Sequence, residues 1–273
     1  MAFVTLQREG AIGVLTLNRP DNANVLNLPM ARELLGAVRE LEADPSIRVV
    51  LLIGAGKHFC FGGDLRGMLA QNSAESSPSA QRADITAYLL ELTGDLHAAI
   101  VGLVNLDAPV IAVVNGTAAG AGVGLVAMAD LAVCGSSTRF SLAYTGVALT
   151  PDGGTSFFLP RLIGAKRAME WLLSNRAVTA EEALSVGLVN AVVPDAQLLD
   201  HARELASQLA SGPRHAFAKT KRLLSVSRSE LEYHLALEGR TIAQQAASSE
   251  GLEGMHAFLE KRRPSFQELG HTP

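Results

Sequence analysis

Residues 115–130, NGTAAGAGVGLVAMAD, contain no side chain before Asp130 that can exchange a proton at neutral pH. They follow a strand-like apolar run, PVIAVV, and a second apolar run ends in a similar turn, FCFGGDL. Glycine and alanine let a ligand approach the main chain closely. Each turn leads into a helix-like segment, and a helix start offers free N–H groups and the positive end of a dipole. Two such starts meeting at one point would stabilise negative charge developing on a carbonyl oxygen. Close packing of strand on helix is the competing explanation of the same glycines. One acid stands beside a third turn: Asp152, in ALTPDGGT. It could move a proton, but PDG is also a turn signature, and aspartate can cap the helix that follows.

Other chemistries fit the residues poorly. GAGKHF has His58 where a Walker A loop needs Ser or Thr. GVGLVA, residues 122–127, fits G-x-G-x-x-A. It lies too far beyond its strand, however, and no acid about twenty residues on suits a ribose contact. There is no G-x-S-x-G nucleophile elbow. The seven histidines show no metal spacing, and Cys60 and Cys134 sit singly in apolar stretches, so neither a metal site nor a disulfide framework is expected. A net charge of −4 argues against nucleic acid or an anionic membrane as the main partner. The 22 uncharged residues between Asp107 and Asp130 approach the length of a membrane span, but Pro109, Asn115 and four glycines favour a strand, a turn and a buried helix. The N-terminus lacks the pattern of a signal peptide, so the expected location is cytoplasmic.

The elements that would position these residues alternate. FVTLQREGAIGVLTLNRP reads as two strands joined near Gly10, PMARELLGAVRELEAD as an amphipathic helix, and IRVVLLIGAG as a strand buried on both faces. Asp64 is placed to cap a short helix after the FCFGGDL turn. Residues 71–82 are Ser-rich and read as a surface loop, followed by a long helix over about 84–105. Strand–helix alternation predicts an α/β fold. With 48% hydrophobic residues a large core is expected. A composition shift near residue 195 divides an α/β core, 1–195, from a helical region, 196–273.

Four segments in this order resemble the crotonase superfamily, the enoyl-CoA hydratases and isomerases: LTLNRPDNANVLN, HFCFGGDL, PVIAVVNGTAAGAGVGLVAMADLAV, and the long run from TPDGGTSFFLPRLIGAKRAMEW to LVNAVVP. The resemblance implies a ββα spiral core, an acyl-CoA thioester as substrate, and no cofactor beyond coenzyme A. It implies an oxyanion hole made by the N–H groups of Gly63 and Ala121. Homotrimers or hexamers are implied too, with the C-terminal helices packing across subunits. Val25 and residues 63–65 (Gly63, Asp64, Leu65) would follow the coenzyme A path, and Lys221, or Lys261 with Arg262, could meet phosphates.

The departures narrow the chemistry. Hydratases of this family carry two glutamates; Gly124 and Tyr144 occupy those places here. Adding water needs one group to activate it and another to handle the second proton. Residues 151–154, PDGG, resemble the isomerase branch, including the phenylacetate-degradation isomerases, in which a single carboxylate serves. Asp152 is then the expected catalytic residue. Tyr144 is a candidate to line the acyl pocket or donate a hydrogen bond, with plain packing as its other reading. Acyl-CoA isomerisation is the leading expectation. Hydration by a non-standard acid–base set and non-catalytic acyl-CoA binding are the alternatives.

Overall fold

The structure, a computed structural model, describes residues 2–70, 77–225 and 227–267. The strands are β1 (Val4–Glu9), β2 (Ile12–Leu17), β3 (Val49–Gly54), β4 (Val110–Val114), β5 (Thr117–Ala119), β6 (Leu131–Gly135), β7 (Arg139–Ser141), β8 (Val178–Thr179) and β9 (Ala191–Val193). The helices are α1 (Leu28–Ala43), α2 (Leu65–Leu69), α3 (Pro78–Asn105), α4 (Ala121–Ala127), α5 (Thr155–Ile163), α6 (Ala165–Ser174), α7 (Ala180–Ser185), α8 (Leu198–Ser211), α9 (Arg214–Leu224), α10 (Arg228–Ala246) and α11 (Ser249–Leu259).

Six strands form one sheet in the order β1-β2-β3-β4-β6-β9, and β5-β7-β8 form a smaller one. Only the β1–β2 hairpin is antiparallel in the large sheet. Its inner strands are apolar on both faces because both faces are covered. Val50 and Leu52 of β3 face a core shared with α1 and α3, while Val49 and Leu51 face Leu198, Ala202 and Ala206 of α8. The chain after residue 195 therefore supplies one cover of the sheet.

Helix starts follow local chemistry. Asn27 accepts a hydrogen bond from Met30 N at the start of α1, and Asp64 accepts one from Gly67 N at the start of α2, as its position suggested. The expected loop over 71–82 is only partly a loop. Ser77 accepts from Ala80 N and Pro78 occupies the first turn, so α3 begins six residues earlier than expected. Residues 71–76 of that loop lie outside the described residues.

The apolar stretch 108–129 is divided among β4, β5 and α4. The one helix among the described residues long and apolar enough to cross a membrane is α3, over Ser79–Asn105. It packs between α1 and α10.

Candidate active site

The two Gly-rich turns meet. Ala119 N donates to Cys60 O at 2.8 Å, and Cys60 bridges Ala118 in parallel register. A Cβ at Gly62 would lie 2.9 Å from Ala119 O and 3.3 Å from Ala121 N, so only glycine lets the turns approach this closely. The amides of Gly63 and Ala121 donate to no acceptor among the described residues. Buried main-chain N–H groups are rarely left unpaired; Ala121 is buried and Gly63 half-buried, so the pair marks a candidate place for a ligand acceptor.

Beside them lies a cavity of about 560 Å³. Val25, Gly63, Asp64, Leu65, Tyr144 and Asp152 all line it, together with Gly120; Ala121 itself is buried. The far wall is apolar: Leu142, Val147 and Leu149, with Ile242 of α10 and Phe258 and Leu259 of α11. The C-terminal helices therefore supply part of the wall, and α3 contributes none of the lining residues.

Asp152 is 6% exposed. Its Oδ1 accepts a hydrogen bond from Tyr144 Oη at 2.8 Å, and Tyr144 Oη also lies 3.2 Å from Thr155 Oγ1. Burial pushes the Asp152 carboxyl up to about 6, while the Tyr144 hydrogen bond opposes that rise. Burial and the Asp152 charge together hold the Tyr144 phenol well above its ordinary value. Tyr144 is thus a hydrogen-bond donor to Asp152 and not a base. Cys60 is inert as a nucleophile: burial pushes its thiol up to about 12.

The helix-capping alternative for Asp152 fails on geometry. Helix α5 starts after Gly154 with no side-chain cap from its own sequence. Gly153 (φ +60°) and Gly154 (φ +77°) turn the chain through the left-handed region and direct the Asp152 carboxylate toward Tyr144 instead. The amides that Asp152 might have capped are met from elsewhere. Glu238 of α10 accepts from Gly154 N at 2.8 Å and Ser156 N at 3.0 Å. On α3, His97 Nε2 accepts from Gly153 N at 3.2 Å.

Burial drives His97 down to about 4, which keeps it neutral. Burial first, and the Asp152 charge as well, push Glu238 up to about 7. Neither residue stood out in the sequence. The signal for Glu238 was its position on the apolar stripe of Leu231, Leu235 and Ile242, where a carboxylate is out of place. Ser156 Oγ lies 2.8 Å from His234 Nε2, but Glu238 approaches that same nitrogen, so the three do not form a nucleophile–base–orienter chain.

Gly124 packs against the same turn. A Cβ there would lie 2.3 Å from Gly153 O and 2.8 Å from Thr155 Oγ1. The space a glutamate side chain would occupy is filled by the chain that carries Asp152.

Two expected phosphate contacts are placed elsewhere. Lys221 Nζ is 2.6 Å from Asp130 Oδ2 and donates to the carbonyls of Leu103 and Ala108; it faces a different cleft, and its donors are used. Asp130 also accepts from Val110 N, a structural role. Lys261 is exposed beyond α11 and does not line the cavity, and Arg262 pairs with Glu253 and Glu260. The cations that do line it are Arg19, held by Asp64 and Val25 O, and Arg66, whose guanidinium has no ion-pair or hydrogen-bond partner among the described residues. Among the described residues no cluster of three or more metal-ligating side chains occurs.

The mixed α/β fold thus sets two unpaired N–H groups beside a largely apolar cavity that the buried Asp152 carboxylate also lines. The sequence matches the profile of the enoyl-CoA hydratase/isomerase family over residues 7–269, and the chain belongs to that family. It is 37% identical to a probable enoyl-CoA hydratase of Rhodobacter capsulatus, covering 97% of this chain and 99% of that one. It is 34% identical to the 1,2-epoxyphenylacetyl-CoA isomerase of Escherichia coli, covering 97% and 98%. A crystal structure of an enoyl-CoA hydratase from Mycobacterium avium subsp. paratuberculosis superposes with a TM-score of 0.84 at 30% identity, covering 97% and 98%. The relatives thus carry both hydratase and isomerase names, on the crotonase fold.

Proposed function

We propose that the protein is an acyl-CoA isomerase that shifts a carbon–carbon double bond through a thioester enolate. Asp152 is the single proton carrier. Its carboxylate removes a proton from the carbon between the thioester and the double bond, the electron pair moves onto the thioester oxygen, and the N–H groups of Gly63 and Ala121 hold that oxygen. The same carboxyl then returns the proton at the far end of the conjugated system. The observation that carries this reading is the pairing of two unsatisfied amides with one buried carboxylate whose turn is capped by other residues. The Tyr144 hydrogen bond favours the ionised form of Asp152 and opposes the rise that burial imposes.

The absence of both family glutamates supports isomerisation over hydration, since Gly124 has no room for a side chain. The apolar wall suits an uncharged acyl group. Arg66 is the side chain placed to meet a coenzyme A phosphate. Asp152→Asn is expected to lower turnover of a 3-enoyl-CoA thioester by about 10²–10⁴-fold; full turnover by that variant defeats the assignment.

The same reading includes assembly of three or six copies. Its support is apolar surface on α9, where Leu223 and Leu224 are 85% and 83% exposed. The reading places the protein in the cytosol, which agrees with both cysteines being free thiols.

A further inference from the structure

Two helices reach the turn that carries Asp152. His97 of α3 takes the Gly153 amide, and Glu238 of α10 takes those of Gly154 and Ser156 and also the Ser156 hydroxyl. Glu238 is 4% exposed. A carboxylate that deep is costly unless it is paired or fully hydrogen-bonded. No lysine or arginine among the described residues pairs with it; its one ion-pair neighbour is His234, at 3.8 Å. Its hydrogen-bond partners all belong to the first turn of α5 and the residue before it. An anion there is favoured by the free N–H groups and the helix dipole. In a PDGG turn the aspartate itself would ordinarily serve as that anion. Here Glu238 has the place, and the Asp152 carboxylate is turned to Tyr144 and the cavity.

We propose that Glu238 is a positioning residue: by capping α5 in place of Asp152, it holds the Asp152 carboxylate toward the acyl cavity. This rests on the reading of Asp152 as the proton carrier. The charged and titratable groups around Glu238 are Asp152 and Tyr144 across the turn, His97 on α3 and His234 on its own helix. The Arg161–Glu230 pair lies beyond His234. Protonating Glu238 converts one of its acceptor oxygens into a donor and loosens the cap. Because Glu238 is pushed up to about 7 and Asp152 to about 6, turnover depends on two ionisations, not one.

The test uses Glu238→Ala, Glu238→Gln and Asp152→Asn with 3-hexenoyl-CoA, following kcat, KM and the pH profile of kcat. Glu238→Ala is expected to lower kcat about 10–100-fold with KM changed less than about threefold, as a misplaced catalytic group does. Glu238→Gln keeps one acceptor oxygen and is expected to lose less. Its profile keeps the limb near 6 and lacks the one near 7. Unchanged kcat in both variants, or an effect confined to KM, overturns the proposal. So does a loss that scales the whole pH profile uniformly, which is what a partly unfolded sample gives. If Glu238→Ala does not fold, the near-isosteric Glu238→Gln carries the test. An active Asp152→Asn removes the proton-carrier reading itself. An inactive Asp152→Asn beside fully active Glu238 variants removes only the positioning role.

Discussion

Asp152 changes protonation near 6 because burial disfavours its charged form more than the Tyr144 hydroxyl favours it. Turnover that begins with a carboxylate base should therefore rise with pH through that value. Tyr144→Phe removes the hydrogen bond that holds the Asp152 pKa down. The acid limb of the kcat profile is expected to move to higher pH in that variant, and a pH series of initial rates reads it directly. The same burial costs stability. In the unfolded chain the carboxyl loses its proton near 3.8, in the folded chain near 6. Between those values the folded state binds more protons, so this group's contribution to stability falls as pH rises through the window and stays lost above it. A displacement of that size corresponds to at most about 3 kcal/mol. Asp152→Asn, which keeps an oxygen for Tyr144 and carries no charge, should melt several degrees above the wild type at pH 8. The gain should shrink toward pH 4. Differential scanning calorimetry at the two pH values measures both. A variant more stable and less active is what a site that stores cost for function would show.

At the scale of elements, the site depends on three glycine-bearing turns packed against one another. Gly124→Ala places a methyl group 2.3 Å from the Gly153 carbonyl, so the turn must move. A loss of about 1–3 kcal/mol in stability and a fall in kcat larger than any change in KM are expected, from chemical unfolding and steady-state kinetics. Much of this scale was legible in the sequence. Both Gly-rich turns follow continuous apolar strands, and the short helix capped by Asp64 lies where its residues place it, because these signals are local. What was not legible depends on distant partners. Lys221 reads as a free cation on a basic helix face until Asp130, 91 residues earlier, comes within 2.6 Å. Glu238 and His97 lie on helices far from Asp152 in the chain, and only the packing of α3 and α10 against the PDGG turn gives them a role. The Asp152 side chain had two local readings, cap or catalyst; the first falls only once Glu238 is seen at the capping position.

At the scale of the whole molecule, the helices after residue 195 do two jobs. Helix α8 closes one face of the sheet, and α10 and α11 wall the cavity beside Asp152. Helix α9 is left with Leu223 and Leu224 in solvent. Light scattering after size exclusion is expected to give three or six times the 28.7 kDa chain mass. Leu224→Asp should shift that mass downward if α9 is part of the contact; a monomeric wild type contradicts the assembly.

The central claim is that one carboxylate shuttles a proton and no second group activates water. It is tested most directly by supplying 3-hexenoyl-CoA and 2-hexenoyl-CoA separately to the wild-type protein in D₂O and following products by mass spectrometry. Conversion of the 3-enoyl to the 2-enoyl thioester is expected, with at most partial deuterium incorporation because one carboxyl carries the proton across, and no hydrated product from either. Hydrated product from the 2-enoyl thioester, at a rate matching or exceeding isomerisation, would contradict it and require a water-activating group beside Asp152.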